Sequence, residues 1–144
     1  MPRELTANCD VMIDAEPDLV WSALTDSELL GKAFFDTKVE SDWREGSPIS
    51  FSGEFQGKEF HDKGQVMKVA PTHELVYTHW SPLSGTEDTP ENYHTVTLHL
   101  TPANGGTKLA LSQDNVGDEE ERKHSEQTWS MMLDGLKKLI EQQR

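Results

Sequence analysis

Three histidines near the same end of neighbouring predicted strands are the first candidates for chemistry. His61, His79 and His94 carry imidazoles, and three imidazoles can hold a zinc ion with one coordination position left open. Their separations follow no compact ligand pattern, and strand alternation assigns an inward face to His94 but leaves the face of His79 open. The sequence therefore predicts neither a metal site nor a cofactor.

A second set of side chains can exchange protons. His94, Asp114 and His124 lie near one end of the predicted sheet, with Tyr93 as a further proton donor. The interpretation we favour is that Asp114 caps a turn while the histidines are solvated on the rim. The chain has no Gly-x-Ser-x-Gly, phosphate loop, dinucleotide fingerprint or His-Glu-x-x-His. No catalytic residue is assigned, and whether the protein is an enzyme stays open.

Length and charge restrict the classes of protein and partner. The 144 residues correspond to one domain, residues 1–144, and the net charge of −13 would repel nucleic acid and anionic lipid surfaces. No apolar run is long enough to span a membrane, so we expect a cytoplasmic protein without membrane insertion. Cys9 alternates with apolar residues in a predicted strand, which indicates a buried side chain rather than a nucleophile.

The elements that must position these residues follow from their periodicity. Residues 5–13 alternate as a half-buried strand, and Glu16-Pro17-Asp18 opens a helix because proline is tolerated in the first turn. A second short helix is predicted over residues 28–34, and a long amphipathic helix begins after Asp118. Six strands lie between these helices and span residues 37–42, 49–55, 59–69, 74–80, 93–101 and 107–113.

Two details of the strands can be tested. The alternation of residues 59–69 is imperfect, which predicts a β-bulge near Gly64. The Asn-Gly-Gly turn at residues 104–106 predicts a hairpin whose register places the apolar side chains of both strands on one face. Its predicted pairs are Leu100 with Leu109, Leu98 with Leu111, and Val96 with Gln113.

One connection is much longer than the others. Residues 81–92 join two predicted strands, whereas the remaining strand connections are short. In an antiparallel meander this loop lies at the same end as the connections at residues 56–58 and 114–117, with Phe34 nearby. The loop is either a lid over a ligand site or a polar surface insertion.

The element order predicts an α+β fold in which helices gather on one face of an antiparallel sheet. A long helix across a curved sheet encloses space, and the mouth of such a shell is a common ligand site. Gln113, on this apolar face, either orients a ligand or bonds the neighbouring loop. The candidate ligand-binding residues are Phe34, Phe51, Phe55, Trp80, His94, Val96, Leu98, Leu111, Gln113, Trp129, Met132 and Leu136.

Several segments, in this order and spacing, resemble a known family. They include residues 39–43 (VESDW), 46–51 (GSPISF), 78–85 (THWSPLSG), 92–97 (NYHTVT) and 111–115 (LSQDN). The chain resembles bacterial members of the group named after the heat-shock-protein-90 ATPase activator, within the START-like (SRPBCC) superfamily. The resemblance implies a helix-grip fold: a seven-stranded curved antiparallel sheet around a long C-terminal helix, with two short helices after the first strand.

The resemblance also limits the functions to be weighed. Superfamily relatives bind lipids, sterols, hormones or polyketides, and some catalyse cyclisation or dehydration in the cavity. Our first hypothesis is that the protein binds a small hydrophobic molecule between the sheet and the last helix. The alternatives are a cavity enzyme of the cyclase or dehydratase type and a protein that contacts a chaperone. The eukaryotic co-chaperone of this group carries an additional N-terminal domain, which we do not expect here, so the family name is a weak guide to activity. We expect a monomer or a weak dimer.

Overall fold

The computed structural model describes residues 5–34, 36–55, 57–82 and 85–143, and for Phe55 the backbone alone. The described residues contain no helix long and apolar enough to cross a lipid bilayer. The regular elements are β1 (Leu5–Ile13), α1 (Pro17–Leu24), α2 (Ser27–Ala33), β2 (Lys38–Ser41), β3 (Pro48–Phe55), β4 (Lys58–Ala70), β5 (Glu74–His79), β6 (His94–Ala103), β7 (Gly106–Val116) and α3 (Glu119–Gln143), with a 3-10 turn at Pro90–Asn92 before β6.

The seven strands form one curved antiparallel sheet in the order β1-β7-β6-β5-β4-β3-β2. Strands β2 to β7 make a meander, and β1 closes the sheet beside β7. Helix α3 packs against β1 and β7 and also contacts α2. The predicted α+β helix-grip architecture is confirmed, including the two short helices after the first strand.

The ends of the helices follow from local hydrogen bonding. At α2, the Asp26 Oδ1 accepts the backbone N–H groups of Glu28 and Leu29, so this helix begins at Ser27, one residue earlier than predicted. At α3, the Asp118 Oδ1 accepts the N–H of Glu121 at 2.8 Å. A capping carboxylate satisfies N–H groups that have no partner within the helix and interacts favourably with the positive end of its dipole.

The predicted hairpin register is confirmed, and the predicted bulge is displaced. Strands β6 and β7 pair as the Asn-Gly-Gly turn indicated, with Leu98 opposite Leu111. The irregularity in β4 lies between Val66 and Lys68 rather than at Gly64. Met67 is the additional residue, and its exposed side chain explains why the inward positions of β4 change parity after Val66.

The hydrophobic core lies between the inner face of the sheet and the three helices. Helix α3 contributes Leu133, Leu136 and Ile140, each at most 1% exposed. Across from them, the inner faces of β5 and β6 contribute Leu75 and Val96. This packing fixes α3 over the sheet, and the end where β5 leads into the long connection is here called the mouth.

Candidate functional site

The inner face of the sheet carries a row of polar side chains near this mouth. Asp62 of β4, His79 of β5 and His94 of β6 form this row, here called the mouth row. Phe51 of β3 pairs with Asp62, and His79 pairs directly with His94. Because residues paired across neighbouring strands point to the same face, the register brings these side chains together beside the aromatic ring of Phe51.

Asp62 and His79 form a close, partly buried pair. The His79 Nε2 lies 2.8 Å from the Asp62 Oδ2, and the two side chains are 29% and 16% exposed. The other carboxylate oxygen, Asp62 Oδ1, is buried and has no hydrogen-bond partner among the described residues. A buried acceptor without a partner costs roughly 1–3 kcal/mol, so this oxygen stands out among the buried side-chain polar atoms of the described residues.

His94 completes the row and is oriented by β7. Its Nδ1 lies 2.9 Å from the carbonyl oxygen of Asp114. The Asp114 side chain accepts the backbone N–H of Thr95 at 2.5 Å, so this residue connects two strands through both of its acceptors. The His94 ring stacks on His79 with 6.5 Å between centroids. Asp114 lies within β7 and bonds the neighbouring strand, so it does not cap a turn as the sequence interpretation expected.

Gln113 is bonded to the long helix. The Trp129 indole N–H donates to the Gln113 Oε1 at 2.6 Å, which connects α3 to β7 at the mouth. Phe34 lies edge-on against Trp129 with 6.0 Å between ring centroids. The sequence left two roles open for Gln113, a ligand contact or a bond to the neighbouring loop, and its Oε1 instead accepts from α3.

The space behind the mouth is nearly filled by the protein's own side chains. The remaining internal cavity has a volume of about 10 Å³, close to the minimum that one water molecule needs. Five of the predicted ligand-binding residues line it: Phe34, Phe51, Leu98, Leu111 and Leu136. The expected apolar lining is present, but it is packed closed in this conformation.

The other predicted ligand-binding residues lie in different surroundings. Val96 is completely buried in the core and does not line the cavity, and Trp129 and Met132 pack against the core while partly exposed. The side chain of Phe55 lies outside the described residues. Trp80 follows inward-facing His79 and therefore faces the opposite side of the sheet, so it does not line the interior with the others.

Trp80 belongs to a cluster on the outer face of the sheet. Its ring stacks on Tyr93 with 6.2 Å between centroids, and the Lys63 amine lies 5.8 Å from the ring centroid. Lys63 and Tyr93 both bond the Asp88 carboxylate, which raises the pKa of Lys63 and lowers that of Asp88. The cluster attaches the long connection to the sheet.

The remaining histidine candidates do not converge. His61 is exposed on the outer face of β4, opposite to the side of Asp62, and His124 is exposed on α3. Three imidazoles therefore do not meet at this end of the sheet. Within the part of the chain that the structure describes, no group of His, Cys, Asp and Glu side chains is arranged to hold a metal ion.

Two other titratable side chains on the inner face are held neutral. Burial raises the pKa of the Tyr77 hydroxyl above its ordinary value. Burial, followed by the nearby carboxylate of Glu126, raises the pKa of the Cys9 thiol to about 11. Because the thiolate is the nucleophilic form of cysteine, Cys9 is unsuited to nucleophilic chemistry at neutral pH.

A wider depression opens at the opposite end of the sheet. It has a volume of about 600 Å³ and lies between the start of α1 and the turn that joins β6 to β7. The residues that line it include Glu16, Asp18, Asn104 and Gly105. Its lining contains no aromatic side chain among the described residues, and it is open to solvent, so the mouth row is the better candidate site.

Sequence reasoning missed Asp62, and it named His79 only as a candidate metal ligand whose face was left open. A signal for Asp62 was available, because the tight turn at Gly57 sets the β3–β4 register that pairs Phe51 with Asp62. A carboxylate at a position of the apolar parity indicates a functional or strained site. For His79 the long connection left the register of β5 undetermined, so its face could be known only from the structure.

Comparison with known proteins places the chain in a family. The family model described as activator of Hsp90 ATPase homolog 1-like protein matches residues 14–141. A comparison with curated proteins gave no match. The solution structure of ChR145 from Cytophaga hutchinsonii is similar over 99% of this chain and 98% of that one, with 44% identity and a TM-score of 0.84.

More distant structures share the fold. The Aha1 dimer from Colwellia psychrerythraea is 21% identical over 95% of this chain and 96% of that one, with a TM-score of 0.74. CalU16 from Micromonospora echinospora is 23% identical over 97% of this chain and 86% of that one, with a TM-score of 0.68. The family model and the 44% identity to ChR145 show that this chain belongs to the activator of Hsp90 ATPase homolog 1-like family.

Proposed function

We propose that this protein binds a small, mostly apolar molecule that carries a hydrogen-bond donor. The donor would meet the mouth row, and the apolar body would lie between the sheet and α3. The observation that carries the proposal is the buried Asp62 Oδ1, which has no partner among the described residues. A ligand hydroxyl or N–H group would satisfy this oxygen and remove the cost of its desolvation.

The surroundings of Asp62 favour a flat ligand. Phe51 and His79 present their rings to each other at 5.7 Å, and Phe51 is also 5.7 Å from the ring of Tyr77. Such a wall presents several ring faces, so it selects for aromatic or unsaturated molecules over sugars and free ions. The acidic surface of the protein also disfavours anionic ligands.

Binding requires the interior to open. The cavity of about 10 Å³ is far below the roughly 300–1,000 Å³ of small-molecule sites. Leu133 and Leu136 are fully buried, whereas Trp129 and Met132 on the same helix are partly exposed and can move with less loss of packing. We expect the ligand to enter by displacing the Trp129 and Met132 side chains from the mouth.

The experiment compares two probes that differ in one donor. 2-Naphthol has a hydroxyl, and 2-methoxynaphthalene has the same rings without a donor. Titration followed by backbone amide NMR shifts should show saturable changes at Phe51, His79 and Val96. A hydrogen bond to a charged group contributes about 1.5–3 kcal/mol, so 2-naphthol should bind about 10-fold to 100-fold more tightly.

Matched variants test the role of the carboxylate. Asp62→Leu removes the acceptor and should abolish the preference for 2-naphthol. Glu59→Gln, on the exposed face of the same strand, removes the same charge and should leave the preference intact. Equal affinity for the two probes in the native protein, or saturable shifts confined to the outer face, would contradict the proposal.

A further inference from the structure

The Asp62–His79 pair has the geometry of an acid–base dyad. The distance of 2.8 Å between the His79 Nε2 and the Asp62 Oδ2 is that of a hydrogen bond between a ring N–H and a carboxylate. When the carboxylate is ionised it has acceptors only, and the Nε2 is then the donor. In the neutral ring the lone pair is then on Nδ1, which is the nitrogen available as a base.

The position of the pair suits proton transfer at the mouth. The His79 side chain is 29% exposed and Asp62 is 16% exposed, so a bound molecule can touch the imidazole while the carboxylate behind it is shielded. This exposure exists without opening of the closed interior. A carboxylate that holds one tautomer and stabilises the imidazolium is the arrangement by which proteins make histidine an effective base.

The neighbouring groups provide a surface for a flat substrate. The ring of Phe51 lies 5.7 Å from His79 at an angle of 66°, and the ring of His94 stacks on the other side at 27°. The carbonyl of Asp114 can only accept, so the His94 Nδ1 is a donor in its 2.9 Å contact. The orientation of both imidazoles is thus set by neighbouring strands, through Asp62 of β4 for His79 and the Asp114 carbonyl of β7 for His94.

The geometry points to an activity that rests on the proposed ligand site: His79 transfers protons to and from a flat, mostly apolar carbon acid, and Asp62 is its positioning residue. The Nδ1 of His79 takes a proton from a carbon next to a carbonyl group. The C–H electron pair forms a C=C bond, and the carbonyl π pair moves to oxygen as an enolate. The imidazolium then returns the proton to the same or the conjugated carbon, so the net change is proton exchange or isomerisation without a co-reactant.

A generic probe measures an accessible base beside an apolar wall. In 5-nitrobenzisoxazole a base removes the proton on carbon 3, the C–H pair forms the nitrile, and the N–O bond breaks to give a coloured phenolate. The native protein should catalyse this ring-opening of 5-nitrobenzisoxazole with saturation kinetics. His79→Gln should lower kcat/KM by about 100-fold or more, as expected for loss of a general base. His61→Gln, an exposed histidine of the adjacent strand, should leave the rate unchanged.

Asp62 is tested by the separation of kcat from KM. Asp62→Asn presents an amide N–H to the ring and favours the other tautomer, so kcat should fall at least about 10-fold with KM unchanged. Asp62→Glu should recover part of the rate. If kcat/KM falls in both variants only because KM rises, with kcat unchanged, the positioning role of Asp62 is overturned.

Two further measurements keep the outcome unambiguous. Long-range ¹H–¹⁵N NMR of the native protein reports the His79 tautomer without any substitution, and a proton on Nδ1 instead of Nε2 would overturn the proposal. If 2-naphthol binds at the mouth but native protein and His79→Gln open the probe equally slowly, the dyad proposal fails while ligand binding stands. Saturable opening of the probe without 2-naphthol binding would support the dyad and contradict the proposed ligand.

Discussion

The hydrogen bond between Trp129 and Gln113 should control access to the interior, and Trp129→Phe tests this. The substitution removes the indole N–H that donates to Gln113 Oε1 at 2.6 Å, and it keeps an aromatic ring against Phe34. A typical hydrogen bond contributes about 1 kcal/mol net, and the smaller ring loses some apolar contact. We therefore expect the free energy of unfolding to fall by about 1–2 kcal/mol, which is about 3–8 °C in Tm.

The effect on ligand affinity should have the opposite sign. If the mouth opens by breaking this bond, a loss of about 1 kcal/mol from the closed state raises the open population about fivefold. Because the apparent dissociation constant is inversely proportional to the fraction of competent protein, 2-naphthol should bind about fivefold more tightly to Trp129→Phe. Thermal unfolding by circular dichroism and titration by amide NMR shifts measure the two quantities on one sample.

Trp80→Phe is the matched control. Its indole N–H also donates a hydrogen bond, to the Thr86 Oγ1 at 3.0 Å, but on the outer face of the sheet. This variant should lose stability to a similar degree and keep the affinity of the native protein. Lower stability of Trp129→Phe together with unchanged or weaker 2-naphthol binding would refute the opening mechanism.

Two other predictions concern packing and the thiol. A Cβ at Gly64 would lie 1.6 Å from the Thr78 carbonyl oxygen, so Gly64→Ala should lower the free energy of unfolding, measured in urea, by about 1–3 kcal/mol or more. A Cβ at Gly135 in α3 would meet nothing closer than 3.5 Å. Gly135→Ala should therefore raise the free energy of unfolding by about 0.5–1 kcal/mol, because alanine has the higher helix propensity. Because folding raises the pKa of Cys9 from 9.0 to about 11, its contribution to stability is full below about pH 9 and is lost as the pH rises to about 11. Iodoacetamide at pH 8 should alkylate Cys9 about 100-fold more slowly in the folded protein than in the urea-unfolded chain. Glu126→Gln should reduce this ratio of rates, because it removes a carboxylate that raises the pKa of Cys9. Equal alkylation rates in folded and unfolded protein would contradict the raised pKa.

The parts of the fold that local chemistry controls could be predicted from the sequence. Asn104 and Gly105 both have positive φ, 49° and 80°, as a tight hairpin turn of this kind requires. The turn residues therefore set the β6–β7 register. This register places the apolar side chains of both strands on the same face of the sheet, so their burial could be predicted. The same reasoning predicted α3, because a capping carboxylate precedes an apolar stripe of helical period.

The candidate site depended on non-local geometry and was only partly predictable. The unpaired Met67 changes the face of every later residue in β4, and no local signal distinguishes a bulge there from one at Gly64. The long connection before β6 leaves the β5–β6 register free, so the pairing of His79 with His94 could not be derived. The remaining volume under α3 depends on the packing of individual side chains, which periodicity does not encode.

The long connection is attached to the outside of the sheet by several independent contacts. Trp80 bonds Thr86, Tyr93 bonds Asp88, and the Asn115 amide donates to the carbonyl oxygen of Glu91 at 2.8 Å, although residues 83 and 84 lie outside the described part of the chain. Raising this loop as a lid would break all of these contacts together. The contacts therefore favour a fixed rim over a hinged lid.

A fixed rim leaves the helix side as the place where the shell can open. There, among the residues that the structure describes, one side-chain hydrogen bond connects β7 to α3, and the ring that donates it is partly exposed. Breaking one bond costs less than breaking three, so displacement of Trp129 should precede any movement of the loop. Hydrogen exchange of the native protein should then increase in the first turns of α3 on adding 2-naphthol, while the amides of the 3-10 turn Pro90–Asn92 stay protected.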